Sequence, residues 1–304
     1  MRVARIVLIV LLLLSILFLV PSTVSMAEIV PIPLDKEKMD DVSDANYLSD
    51  LEYQDESLHI VIEKGRIHDT NYIVARIKIA DPTQIRSALV TPNGKSSIFG
   101  VSLAKRANAV FAINGDFFSS NKTSVGKHIV RQGVVRKHNA NGVMDALIID
   151  ANGDLKILPL ATEKDFDAFG GTIVNSYAFG PGLVIDGKLI TEYDEKKASG
   201  GVAAFGPAQR MCLAQVGPLE YLCVASEGPE DKGSTGLTIP QFAELVYSLG
   251  NVQNAYNLDG GSSSTMVFKG EKINSPNNPK KRPLADIIYF ASAYVEESAE
   301  ATNP

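Results

Sequence analysis

The chain has 304 residues, 45% of them hydrophobic and 21% charged, with a formal net charge of -6 and a pI of about 5.3. That composition excludes a disordered polymer and is long enough to bury one large core. Its acidity excludes diffuse attraction to nucleic acid or anionic lipid, so no nucleic-acid partner is expected and a bound phosphate would need a few local cations.

Arg2 and Arg5 precede an apolar run from Ile6 to Val20 that only Ser15 interrupts. Pro21 breaks the run, and Ser25-Met26-Ala27 supplies small residues. This layout predicts a signal peptide over 1–27, cleaved after Ala27; an uncleaved membrane anchor is the alternative. Either way the mature domain is expected to be secreted or on the extracellular face, touching a membrane only through that segment. Residues 28–57 are acidic and aperiodic, which predicts a tether or loosely packed arm.

From Leu58 the pattern turns alternating and β-branched, predicting strands over 59–62 and 72–79. Further strands are expected at 109–113, 145–150, 155–158, 183–186 and 286–294, with Asn152-Gly153 and Asp186-Gly187 as hairpin turns. Segment 101–107 predicts a helix. A clearer one starts at Thr238, with Gln241 completing a capping box and Pro240 in the first turn. Phe242, Leu245, Val246 and Leu249 share its apolar face, and Gly250 ends it. The fold class expected is α+β: one domain over 58–296, a mixed, mainly antiparallel β-sheet core with a few flanking helices, and a tail at 297–304.

Residues 210–216 and 219–226 read as a hairpin around Gly217-Pro218. A two-residue turn puts Cys212 opposite Cys223, within reach of a disulfide; two buried thiols are the competing reading. The same register makes Arg210 and Glu227 diagonal neighbours beside the glycine-rich segment 228–236.

Two motifs stand out. Asn114-Gly115-Asp116 closes an apolar strand, and Asp259-Gly260-Gly261 runs into Ser262, Ser263, Ser264 and Thr265. A carboxylate, two glycines and four hydroxyls suit a polyoxygenated or anionic ligand, although a tight turn satisfying its own backbone has the same composition. The polar loop from Asn274 to Pro283 adds Arg282, a residue able to grip phosphate in bidentate fashion. The four histidines lack metal-ligand spacing, and neither a nucleophile elbow nor a Walker loop occurs. Asn121-Lys122-Thr123 fits a glycosylation sequon.

In order, Ala112 to Phe118, Gly180 to Lys188, Gln209-Arg210, Asn257 to Ser263, and Asn274 with Pro276 and Arg282 resemble the phosphodiester glycosidase family across residues 95–294. Glu227 departs from the aspartate-glycine pair of many members. The resemblance implies a hydrolase cleaving the bond between a sugar anomeric carbon and a phosphodiester oxygen. It implies Asp116 and Asp259 as catalytic carboxylates, with Glu227 as a third candidate. Arg210, Arg282 and the Gly260 and Gly261 amides would hold phosphate; Asn114, Ser262, Ser263 and Asn274 would contribute to sugar binding. No cofactor is expected, with a divalent cation such as calcium left open, and the substrate expected is a sugar phosphodiester, with a wall polymer or exopolysaccharide as its expected setting. Two other readings stay open. One is a non-catalytic surface glycan-binding module; the other is a metal-dependent phosphodiesterase cutting the P–O bond, with Asp116, Asp259 and Glu227 as oxygen ligands.

Overall fold

The computed structural model describes residues 28–116, 127–193, 206–275 and 282–295. The expected leader over 1–27, the Asn121 sequon and the tail from 297 lie outside the described residues. Residues Ile29–Tyr294 form one compact unit. Among the described residues no helix is long and apolar enough to cross a membrane.

The main elements of the first half are β1 (Glu52–Gln54), β2 (Leu58–Ile67), β3 (Thr70–Ile79), β4 (Ile85–Leu89), α1 (Gly100–Ala107), β5 (Phe111–Asn114), β6 (His128–Arg131), β7 (Val134–His138), β8 (Ala146–Asp150) and β9 (Leu155–Leu158). Then come α2 (Glu163–Asp167), β10 (Ile173–Ala178), β11 (Gly182–Ile185), β12 (Lys188–Leu189), β13 (Arg210–Gly217), β14 (Glu220–Ser226), α3 (Ile239–Ser248), β15 (Asn254–Leu258), β16 (Met266–Phe268), β17 (Glu271–Lys272) and β18 (Asp286–Phe290). They build an eight-stranded sheet in the order β12-β11-β15-β13-β14-β3-β2-β1. Two five-stranded sheets run β9-β8-β10-β6-β7 and β17-β16-β5-β18-β4. Neighbouring strands are antiparallel throughout these sheets, so the α+β expectation holds.

Alternation along the strands decides which face is buried. Ile60, Ile77, Leu213, Tyr221 and Leu258 project from one face of the large sheet. There they meet Leu147 and Tyr177 of the second sheet and Phe111, Ile113 and Phe290 of the third. The opposite face, with Val74, Cys212, Val224 and Ala255, is covered by Phe242, Leu245 and Val246 of α3. That helix carries the expected capping box between Thr238 and Gln241 and the proline in its first turn.

Two expectations are corrected. The 28–57 segment is fastened to the domain: Ile32 and Met39 are buried beside α1. The guanidinium of Arg86, buried on β4, donates to the carbonyls of Ile32, Pro33, Leu34 and Lys36 at 2.9–3.3 Å. An acidic, aperiodic composition lacks the area for a core of its own, but two apolar anchors and one clamp suffice to dock it. The second correction concerns the cysteines. A bulge between Gln215 and Gly217 shifts the β13–β14 register by one, pairing Cys212 with Val224 and Leu213 with Cys223. A one-residue slip reverses faces. Cys212 therefore joins the α3 side and Cys223 the central core, both as free thiols and not as a disulfide.

Candidate active site

The ends of β5, β15, β16 and β18 converge, and Asn114 ties them together. Its Nδ2 donates to the Asp259 carbonyl at 2.8 Å, and its Oδ1 accepts from the Thr265 amide at 3.0 Å. The two sequence motifs thus meet in space, but Asn114 serves the Asp259 backbone with the groups expected to hold sugar hydroxyls.

The turn after Asp259 needs its two glycines for two reasons: Gly261 takes a positive φ of 55°, and Gly260 makes a close approach. A Cβ on Gly260 would stand 2.3 Å from the Gln209 carbonyl oxygen, so only glycine lets the two backbones approach. The Gly261 amide donates to that same carbonyl at 3.0 Å, and the Gly260 amide is hydrogen-bonded to the Asp259 carboxylate. Both amides expected to cradle phosphate are spent inside the turn. Asn274 is a brace as well: its Oδ1 accepts from the Met266 amide at 2.7 Å, and its Nδ2 donates to the Ser264 carbonyl and hydroxyl at 3.1 Å. The Ser262 carbonyl accepts from the Arg282 amide at 3.0 Å.

What remains open is the Asp259 carboxylate, 18% exposed, with the 58%-exposed Arg282 guanidinium 4.0 Å away. Burial raises the Asp259 pKa above the ordinary carboxylate range. The Ser263 hydroxyl, Arg282 and Lys127 pull it back only in part. The Arg282 Nη1 also reaches the Ser263 hydroxyl at 3.4 Å.

Behind this mouth lies a buried charge cluster of which the sequence reading found only Asp116. One Asp116 oxygen accepts from Lys127 Nζ at 3.0 Å; the other accepts from the Ala178 amide at 3.1 Å and from Arg131 at 3.4 Å. Arg131 also grips Asp286 at 2.6 and 2.8 Å, and the second Asp286 oxygen takes the Asp116 amide at 2.7 Å. Gly115 is required between them, since a Cβ there would sit 2.5 Å from the Asp286 carboxylate. Burial opposes the Arg131 charge, but Asp286 and Asp116 outweigh it and keep the side chain firmly cationic. Burial pushes Asp286 up to about 6; Arg131 draws it back, and the Asp116 charge pushes it up again. Lys127 acts electrostatically on Asp259 too, so it links the buried cluster to the mouth.

Two other expected site residues are engaged elsewhere, although the β13–β15 register brings the Arg210 backbone beside Gly260. Arg210 is buried, donates to the carbonyls of Leu237 and Gly206, and is lowered by desolvation to about 10. Glu227 accepts from Asn71 Nδ2 at 2.8 Å and from the Ser234 hydroxyl at 2.5 Å, beside the glycine-rich segment. The register that separates the cysteines pairs Arg210 with Ser226, off the face of Glu227. Glu227 directly follows β14, which is two places from β15, roughly 10 Å at ordinary sheet spacing. Asp116, Asp259 and Glu227 therefore do not converge as oxygen ligands. Among the described residues no group of three or more His, Cys, Asp or Glu side chains forms a cation cage. A cleft of roughly 370 Å³ between Tyr47, Lys105, Asn108 and Lys269 includes none of these site residues.

The catalytic domain of zebrafish N-acetylglucosamine-1-phosphodiester alpha-N-acetylglucosaminidase, solved auto-inhibited by its pro-peptide, superposes with a TM-score of 0.63 at 17% identity. The match covers 86% of this chain and 98% of that one. A hypothetical protein from Synechocystis superposes at 0.57 with 16% identity, over 79% of this chain and 62% of that one. No curated protein sequence matches. These likenesses establish the shared fold, and the phosphodiester glycosidase family model matches residues 107–291, a range that includes the turn, the charge cluster, Arg210 and Arg282. The chain belongs to the phosphodiester glycosidase family and is a hydrolase acting on phosphodiester-linked sugars.

Proposed function

We propose that this is an exported glycosidase that hydrolyses the bond between a sugar anomeric carbon and a phosphodiester oxygen, on cell-wall or exopolysaccharide glycans. The observation that carries the reading is the partly open Asp259 carboxylate beside the exposed Arg282 guanidinium. A carboxylate for the carbon and a cation for the phosphate suit a bond that joins those two groups. Water adds to the anomeric carbon, the C–O bond breaks, and its electron pair departs on a phosphate monoester. Because that leaving group is already a stable anion, little general-acid help is required. Asp259 takes the proton of the attacking water or shields the oxocarbenium-like carbon. Asp116 acts from behind by fixing Lys127, which supplies positive charge between the buried cluster and the mouth. The leader-like first 27 residues support export.

The test is a panel of sugar-1-phosphodiesters assayed for free reducing sugar. Release of sugar and phosphate monoester, unchanged by EDTA, is the expected result. Sugar phosphate as product would mean P–O cleavage, and silence across the panel with glycan binding retained would mean a binding module.

A pH profile checks the role of Asp259. If it acts ionised, activity falls as pH drops through its pKa, and that acid limb lies above the ordinary carboxylate value because burial raises the group. Ser263 and Arg282 hold the pKa down. Ser263→Ala should therefore move the acid limb to higher pH, as should Arg282→Ala. An unmoved limb in both variants assigns it to another group.

A further inference from the structure

A second cluster of ligating side chains lies on the far side of β6 from the charge network. His128 opens β6 and His138 ends β7, directly opposite each other in the register. Their Nδ1 atoms stand 2.5 Å apart, with the rings nearly perpendicular at 84°. Phe166 of α2 stacks beneath His128 at 4.1 Å and fixes that ring. The far nitrogen of His138, Nε2, faces Asp167 Oδ1 at 3.7 Å and Glu163 Oε2 at 4.0 Å. His138 is 39% exposed at its side chain, so the pair opens to solvent.

Two nitrogens at 2.5 Å leave room for one proton between them and no more, so one Nδ1 presents its lone pair to the other. Carboxylates beside Nε2 favour a proton there, which leaves the His138 lone pair on Nδ1, directed at His128. A carboxylate orienting the outer nitrogen of a histidine whose inner nitrogen is free is the arrangement that supports imidazole ligands of transition metals.

We propose that His128 and His138 form a two-imidazole site for a borderline divalent cation of the Zn2+ class, with solvent completing the shell. At Zn–N distances of about 2.05 Å, tetrahedral ligands lie about 3.3 Å apart, so the pair opens slightly as the His128 proton passes from Nδ1 to Nε2 and the ion takes its place between the rings. The exposed His138 on edge strand β7 supplies that movement; His128, packed on Phe166, stays. The ion would clasp β6 to β7 one residue from Lys127. This site is independent of the glycosidase reading.

The test is isothermal titration of tag-free, EDTA-stripped full-length protein with ZnCl2. One equivalent should bind at sub-millimolar concentration. His138→Gln, on an exposed edge and with its folding checked by circular dichroism, should weaken binding by at least about tenfold. Asp167→Asn should weaken it by roughly tenfold through the lost support of the ligand. Absence of binding to the wild type, or equal affinity in His138→Gln, overturns the proposal. In a parallel titration, Cu2+ should give a paramagnetic spectrum with nitrogen couplings; an oxygen-only spectrum also overturns it.

Discussion

Asp259→Asn should lower sugar release by roughly 10²–10⁴-fold while leaving folding stability within about 1 kcal/mol of the parent. Both halves come from the same geometry. The carboxylate is largely buried, and that burial opposes its charge, so a neutral amide removes a cost. An asparagine oxygen still accepts from Ser263 and from the Gly260 amide. A side chain that is electrostatically expensive to the fold and nonetheless present has a functional explanation. Activity should be followed as free reducing sugar and stability by urea denaturation of the same preparation. Retained turnover removes Asp259 from the chemistry, and cooperative unfolding at much lower urea makes it a structural residue.

Asp286→Ala acts on the fold instead. It strips Arg131 of its two short contacts and frees the Asp116 amide; among the described residues, the carboxylate contact left to this buried cation is the longer 3.4 Å one to Asp116. Removing one partner of a buried pair costs about 3–5 kcal/mol, or roughly 6–20 °C in Tm for a domain this size. A loss below about 1 kcal/mol would show that Arg131 is satisfied without Asp286. There is also a pH signature. The folded pKa of Asp286 is raised to about 6 from an ordinary 3.8, so the folded state holds this proton more tightly than the unfolded chain. The resulting stability is complete below the unfolded value and is lost as pH rises through about 6. Asp286→Asn should flatten that part of the stability profile.

Local signals made much of this fold readable. The α3 helix announced itself by Thr238, Pro240 and Gln241, which act within one turn of chain. Strands such as Thr70–Ile79 showed their period of two directly. The cysteine pairing was not readable, because the bulge at Gln215–Gly217 depends on how both strands pack and not on the Gly-Pro dipeptide alone. Of the site, Asp259 and Arg282 emerged from composition, yet Lys127, Arg131 and Asp286 did not. One clue was available: Asp286 is followed by Ile-Ile-Tyr-Phe, and a carboxylate drawn inside with such a strand is almost never buried without a partner. Its partner could not be named, since Arg131 lies 155 residues earlier. The glycine pair was half legible. Gly261 holds a positive φ of 55°, as a glycine pair announces, but Gly260 is explained by the Gln209 backbone it touches, which no sequence window contains.

The clamp on the N-terminal segment has an evolutionary side. Arg86 holds Ile32, Pro33, Leu34 and Lys36 by their carbonyl oxygens, and every amino acid carries a carbonyl. Side chains at 33–36 are thus free to drift while the attachment survives, but a single inserted or deleted residue would carry the oxygens out of reach. Among diverging descendants of this chain, that stretch should change its letters readily and its length hardly at all.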